Sequence, residues 1–541
     1  MQNKHYIDPN LDSGRFAEPE EIFSDYTQVT YDAETMRATQ AAGLGIEIQQ
    51  NAAGEVTGAV IDGSDSNTII VSNTGSGKTR RVLSQYILSC IFAMQSFIVH
   101  DPKGELYSFF HKLLERMGFA IRVLNLREPM TGDRFNFLQE AARLWQKGKC
   151  GRALEIARGI AETLYLPLED KNDKFWTQTS VNLFLCYFTI AASILNPKHV
   201  TLSAIYSIHV QGLERRGSAS QMQYYLEQHK NEKCYELGMP SITAPNETRQ
   251  SIFSVFSNGL VRVILNEDIE DMTTDSTFEV SDFVSEEKPM ALFIITRDEA
   301  PGVYATVVAA FVDMIYTTLI DLAHSKYHNT LPRTCHFILE EFGNIAQLSN
   351  INDMMTASRS RNIRMVLVVQ SLCQLHLNYS KEIAEVLIGN SQNLVYMAST
   401  DMDLVDMISK RCGHVIDSYT NESRRLLSPE RLTHMNKKDG ETLFLLDRHY
   451  PYISFLPDLS CYKMIESQEH IEVKPRKRLE KCEINFAKIV QELYDRRIKE
   501  LINQDIEKRK EKRMEDEATK QKMLDVPEKL VLEINRIISS L

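Results

Sequence analysis

The feature that most constrains this chain is a short glycine-rich turn, Asn73-Thr74-Gly75-Ser76-Gly77-Lys78-Thr79. A β-prone run, Thr68-Ile69-Ile70-Val71, precedes it. A stretch with Val82, Tyr86, Ile87 and Cys90 at helical spacing follows. Glycines in such a turn let backbone N–H groups point inward and approach a phosphate that a Cβ would keep away. The start of the next helix adds partial positive charge. On this reading Lys78 reaches the β- and γ-phosphates and the Thr79 hydroxyl ligates Mg²⁺. Candidate nucleotide contacts are Asn73, Thr74, Gly75, Ser76, Gly77, Lys78, Thr79 and Arg80. The full pattern G-x-x-x-x-G-K-[ST] has glycine where this chain has Ser72. A mere Gly-Ser linker would not sit between a strand and a helix.

The surrounding pattern predicts an α/β fold. Ala59-Val60-Ile61, Thr68–Val71, Phe97-Ile98-Val99-His100 and Ala120-Ile121-Arg122-Val123-Leu124 alternate with helical stretches, as a parallel sheet requires. Strand-like runs nearly vanish from about Arg143 to Asp282. They return as Ala291–Ile295, His336–Leu339, Met365–Val369 and Leu394–Met397, apolar on both faces. The expected organisation is an N-terminal segment (1–55), a nucleotide-binding domain in two parts (56–142 and 286–470), an inserted all-α domain (143–285) and a charged helical tail (471–541).

Acidic residues supply the second half of the chemistry. His336-Phe337-Ile338-Leu339 ends in Glu340-Glu341, so two carboxylates stand where a strand meets its loop. Glu340 then holds Mg²⁺ through water, and Glu341 orients or polarises the attacking water. Gln370 ends the next strand, where a neutral amide can hydrogen-bond the γ-phosphate or that water. Arg359, Arg361 and Arg364 form a basic cluster just upstream. An arginine offered to a neighbour's nucleotide stabilises transition-state charge.

Charge and composition limit the partners. The net charge is −12; residues 474–541 carry 18 basic against 14 acidic residues, so the remainder stands at −16. An acidic body argues against broad adhesion to nucleic acid, though not against a narrow basic channel. Residues 151–285 hold 11 basic and 17 acidic side chains, so this lobe is not an obvious polyanion-binding surface. Nine scattered cysteines, Cys482 among them, include no CxxC pair and read as reduced thiols. The longest apolar run is taken as Val181–Leu195, too short for a membrane span. Turns are expected near Asp8-Pro9-Asn10 and breaks at Pro197, Gly212 and Pro240.

Together these motifs resemble the type IV secretion coupling proteins, the TraG-type conjugative DNA-transfer ATPases related to FtsK/HerA motors. The matching blocks run in order from Ser13-Gly14-Arg15-Phe16-Ala17 through the phosphate loop to Asp101-Pro102-Lys103-Gly104-Glu105. Asp133-Arg134-Phe135-Asn136, Phe175-Trp176 and Leu339-Glu340-Glu341-Phe342-Gly343-Asn344 follow. Gln370-Ser371, Ser409-Lys410-Arg411-Cys412-Gly413 and Arg424-Arg425-Leu426-Leu427-Ser428-Pro429-Glu430 complete the set. The resemblance implies a RecA-like P-loop domain interrupted by an all-α domain. It also implies ATP and Mg as cofactors, hexameric rings hydrolysing ATP at subunit boundaries, and single-stranded DNA with attached relaxase delivered to a type IV channel. Arg359 takes the arginine-finger position, and Asp101 lies in the signature loop near the nucleotide. The family's usual Asp is Glu340 here. Only twelve residues precede Ser13, where most members carry transmembrane helices. The expectation is either a cytoplasmic member peripheral to the inner face of the membrane or a truncated chain. Loading of protein effectors, or a nucleotide-gated adaptor role, are the alternatives; Lys78, Thr79 and Glu341 argue against the adaptor.

The tail carries two apolar stripes. The first is Phe486, Ile489, Val490, Leu493, Ile498, Leu501 and Ile502. The second is Leu530, Val531, Ile534, Ile537, Ile538 and Leu541, set off by Pro527 and a charged stretch at 507–522. The last stripe either docks on its own domain or serves as a tethered recognition helix.

Overall fold

The computed structural model describes residues 14–540 except 32–38, 169–173, 298–300, 417–421, 466–470, 480–483 and 525–527. The Asp8–Asn10 turn, Ser13, Cys482, Pro527 and Leu541 therefore lie outside the described residues. In chain order the strands are β1 (Thr27–Thr30), β2 (Leu44–Gln50), β3 (Val56–Asp62), β4 (Thr68–Ser72), β5 (Ser96–Asp101) and β6 (Ala120–Asn125). A small hairpin, β7 (Arg215–Arg216) and β8 (Ala219–Ser220), interrupts the helical domain. Then come β9 (Met290–Ile295), β10 (Cys335–Leu339), β11 (Ile363–Val369), β12 (Asn393–Ala398), β13 (His414–Ile416), β14 (Ser423–Arg425), β15 (Glu441–Leu445) and β16 (Tyr452–Phe455).

Nine strands form one sheet in the order β16-β15-β12-β4-β11-β10-β5-β9-β6. The seven from β12 to β6 pair in parallel; β15 and β16 add an antiparallel edge. Side chains of one strand alternate between faces, and here each face has its own core. Ile69, Val71, Ile98, Leu292, Phe337, Leu339 and Leu367 point into a core continuous with the helical domain. Ile70, Phe97, Val99, Phe293, Ile338 and Val366 point into a second core beneath the helices Ser84–Phe92 and Glu105–Arg116. Double burial explains why these strands are apolar without interruption.

Three features differ from the sequence expectation. Ala59–Ile61 belongs to β3, which pairs antiparallel with β1 and β2 in a separate three-stranded sheet. The division at residues 55 and 56 thus falls inside a β2–β3 unit, because Leu44–Gln50 needs Val56–Asp62 for its hydrogen bonds. Next, the longest apolar helix is not Val181–Leu195. Residues 302–326 are long and apolar enough to cross a membrane, but 72% of the most apolar 18-residue window in that helix is buried in the domain. Asp313 and Asp321 interrupt the run in sequence. Finally, the tail does not begin as a helix. Gly132 N–H donates to Lys474 O at 2.9 Å and Arg476 N–H to Met130 O at 2.9 Å, tying an extended strap to the loop after β6.

That strap is locked by a buried ionic cluster. Asp271 accepts from Arg134 Nε at 3.1 Å, from an Arg476 guanidinium nitrogen at 3.0 Å and from the Leu479 N–H at 2.8 Å. The helix Phe486–Leu524 follows, and its first turns enter the helical domain's core, with Phe486 and Val490 at 0% exposure. Phe486 lies 5.4 Å from the Tyr225 ring. Beyond this the stripe emerges: Leu501 is 50% and Ile502 53% exposed. No described residue of the helix Glu528–Ile538 is buried, so docking of the last stripe on its own domain is overturned. The eight described cysteines are free thiols, and Met354 and Met355 are core residues.

Phe486→Ala is expected to cost about 3–5 kcal/mol, the usual range for emptying a buried aromatic site. Truncation after residue 505 should leave the urea midpoint unchanged. Equilibrium denaturation of both variants measures the contrast.

Candidate active site

The parallel register brings the predicted chemistry to one edge. The glycine-rich turn leaves β4, Gln370 leaves the adjacent β11, Glu340 and Glu341 leave β10, and Asp101 ends β5. All four strands run the same way, so these groups share the C-terminal edge, where open α/β sheets bind ligands.

The loop itself is braced by hydroxyls. Gly75 and Gly77 have φ of +73° and +93°, values that a side chain would strain. Ser72 is buried without positive φ, and its Oγ contacts Ser76 Oγ; Ser76 Oγ also donates to Asn73 O at 2.7 Å. A serine therefore replaces the usual outer glycine by closing the turn with a hydrogen bond. Asn73 N–H donates to Ala398 O at 3.0 Å, which pins the loop to β12. The chain then enters a π-helical turn, Thr79–Leu83, before the regular helix. Such turns are rare and recur at functional sites.

Lys78 is 6% exposed and has no ion pair or hydrogen bond among the described residues. A buried ammonium is costly unless an anion joins it. Thr79 Oγ1 donates to Glu340 Oε1 at 2.5 Å, and Thr74 Oγ1 to Gln370 Oε1 at 3.1 Å. Burial pushes the Glu340 carboxyl up to about 7; Thr79 and Lys78 pull the other way, while Asp101 and Glu341 add to the rise. Burial likewise pushes Asp101 up to about 6. Its Oδ2 accepts from Tyr107 N–H at 2.9 Å, whereas its buried Oδ1 has no partner. Two crowded carboxylates beside a threonine hydroxyl, one oxygen unpartnered, are a donor set that fits a hard cation such as Mg²⁺.

Glu341 sits differently. Its φ is +51°, a left-handed backbone that costs roughly 1–2 kcal/mol outside glycine. Asn344 Nδ2 donates to its Oε2 at 3.0 Å. Beside it lies a cavity of about 40 Å³, also lined by His100, Thr296 and Asn344. That is room for a water with polar neighbours.

Other predicted residues are placed elsewhere. Arg80 does not offer its guanidinium to a phosphate, because Nε donates to Asp458 Oδ2 at 2.8 Å and a terminal nitrogen to Oδ1 at 2.5 Å. That pairing holds the Asp458 carboxyl far below its usual range. Arg359 lies at the opposite edge, donating to Asp65 O at 3.0 Å and Oδ1 at 3.1 Å. The five residues of β4 separate it from the glycine turn by about 16 Å at ~3.3 Å per residue. Arg364 donates to Ser64 O at that same edge, and Arg361 to Ser360 Oγ. Phe175 and Trp176 pack edge to face, 5.0 Å apart, in the helical domain.

His100 was not anticipated. Its Nδ1 donates to Glu340 O at 2.6 Å, and Nε2 faces Thr296 Oγ1 at 3.2 Å. Burial pushes its pKa down to about 4, so it is a neutral strut that fixes the Glu340 backbone. Its position just before Asp101 was the available signal.

Known proteins share this fold. Two solved structures of the plasmid coupling protein TrwB, with the ATP analogue ADPNP and with ADP and Mg²⁺, superpose with a TM-score of 0.59 each. Identity is 15% and 14%; coverage is 86% and 85% of this chain, 95% and 97% of theirs. They establish the fold: a RecA-like α/β sheet interrupted by an all-α domain. Protein VirD4 of Rhizobium radiobacter is 22% identical over 374 residues, 67% of this chain and 50% of that protein. An uncharacterized Bacillus anthracis protein is 38% identical over 99 residues, 15% of this chain and 35% of its own length. The matches thus span half or less of these curated relatives. Residues 30–428 match the family described as "Type IV secretory system Conjugative DNA transfer", well over half of the chain, and the protein belongs to that family.

Proposed function

We propose that this protein is an ATPase that couples nucleotide hydrolysis to delivery of relaxase-bound, single-stranded DNA into a type IV secretion channel. The observation that carries the reading is Lys78, a buried ammonium without a partner, at the same sheet edge as the Thr79–Glu340 pair. Family membership supports the transfer role, and the TrwB structures holding ADPNP or ADP with Mg²⁺ support the nucleotide.

Each residue then has a task. Backbone N–H groups of the Gly75–Thr79 turn would cradle the phosphates, and Lys78 would neutralise their β/γ charge. Thr79 and Glu340, the latter through water, would hold Mg²⁺, which supplies charge neutralisation on the phosphate oxygens when bound. Glu341 orients the attacking water and accepts its proton. Gln370, linked to Thr74, reports the γ-phosphate. Arg359, too far from its own glycine turn, acts on the nucleotide of the adjacent copy in a ring, which we take as a hexamer. The ring works at the inner face of the membrane, beside the channel.

Lys78→Ala should abolish nucleotide binding, read by titration with a fluorescent ATP analogue. Glu341→Gln should bind normally and turn over about 10²–10⁴-fold more slowly, the span of general-base effects. Near-normal turnover would remove Glu341 from this role.

Mixtures of Arg359→Ala and Glu341→Gln subunits should regain turnover, since some boundaries then combine one intact half from each. Co-assembled mixtures no more active than the parents would refute a shared site. Turnover by the unmodified protein should rise with single-stranded DNA more than with duplex of equal nucleotide content. Equal or absent stimulation would count against DNA as the transported polymer.

A further inference from the structure

Opposite the nucleotide edge, a polar cavity of about 370 Å³ opens beside Arg359. The end of the helix Met402–Arg411 and the turn between β15 and β16 form its other walls, contributing Arg411, Asp447, Arg448 and His449. Most of these charges are already engaged. Arg359 is held by Asp65, Arg448 lies 3.8 Å from Asp447, and His449 pairs with Asp25 at 3.0 Å. Arg411 is different. Among the described residues it has no ion pair and no side-chain hydrogen bond. Its neighbours on the helix do: Asp406 is taken by Lys410 and Arg425. Burial presses the Arg411 pKa down, and no carboxylate opposes the effect. Arg411 is an exposed residue on this cavity. Arginine stays charged, so its guanidinium lines the cavity beside Arg359 with no carboxylate paired to it.

A guanidinium fork in that state suits a phosphate group, which it can meet through two parallel hydrogen bonds. The chain's own phosphate loop is out of reach, at the other end of β4. We propose that Arg411 is a second arginine donated in trans, meeting, together with Arg359, the phosphates of the nucleotide held by the adjacent copy. The inference rests on the shared-site reading above. It gives the Ser409–Gly413 block, which otherwise has no chemical task, a role in turnover.

The test uses the full chain. Arg411→Ala and Arg411→Gln should each lower ATP turnover at least about tenfold, within the effect of a trans arginine. Affinity of the dilute, unassembled protein for a fluorescent ATP analogue should stay within about twofold. Arg411→Lys keeps charge and packing but loses the fork; it should fall several-fold and carries the same test if the other two melt early. Subunit mixing then locates the residue. Arg411→Ala mixed with Glu341→Gln should regain activity, whereas Arg411→Ala mixed with Arg359→Ala should not, since both lesions lie on the donating face. The reverse pattern would place Arg411 in its own subunit's site and overturn the proposal. So would unchanged turnover in the Arg411 variants. Rescue of the Arg359/Glu341 mixture without rescue of the Arg411/Glu341 mixture would defeat only the Arg411 role. Failure of both, with co-assembly confirmed, would defeat the shared site itself. Inorganic phosphate bound by unassembled Lys78→Ala protein, and lost on adding Arg411→Ala, would assign the cavity to a free anion instead.

Discussion

The parallel register of β4, β11, β10 and β5 is the constraint on which the site depends. Val71 lies beside Val369, Leu367 beside Leu339, and Leu339 beside His100, so four strands end almost level. A slip of one residue would turn every side chain to the opposite face and move Glu340 away from Thr79. Such slips are resisted from both sides, because alternate residues of each strand are committed to separate cores. Side chains that look like mere filling thus set the 2.5 Å contact between a hydroxyl and a carboxylate.

Charge at this edge is unbalanced in a way that binding corrects. Lys78 is buried without an ion pair, Asp101 has an oxygen without a partner, and desolvation pushes the Glu340 carboxyl up to about 7. A nucleotide with a divalent cation would supply negative charge to the lysine and positive charge to the acids. The Arg80–Asp458 pair keeps another cation out of this exchange and fastens the first helical turn to the loop after β16. His100 stays neutral, so it supports Glu340 without adding charge.

What the sequence makes legible follows how local each interaction is. The turn Gly75–Thr79 and the pair Glu340-Glu341 carry their chemistry within a few residues. The doubly buried strands announce themselves by unbroken apolarity. The partners of Arg80 and His100 are 378 and 240 residues away and leave no periodic trace. The small N-terminal sheet was missed because β1 buries only one of its four residues, too short an alternation to read. The hairpin β15–β16 lies beyond the strand–helix alternation that marks the parallel strands. The helix Pro301–Lys326 is apolar around most of its circumference, which erases the 3.6-residue signal of a surface helix. In the tail, periodicity locates both stripes, but only packing distinguishes the buried Phe486 and Val490 from Ile537 at 60% exposure.

The geometry of a parallel strand also bears on assembly. Its two ends differ: the glycine-rich turn, Gln370, Glu340 and Asp101 collect at one edge of this sheet, and Arg359 and Arg411 lie at the other. The strand's own length keeps the two sets apart within one copy. If both are needed for turnover, only a head-to-tail contact between copies can unite them. Such a contact is heterologous, and repeated around an axis it closes into a ring or continues as a filament. Closure places one donating edge against every accepting edge, leaving no site incomplete. On that view the ring is not an addition to the enzyme; it is the way a chain with its cations at the wrong end of the sheet obtains a complete site.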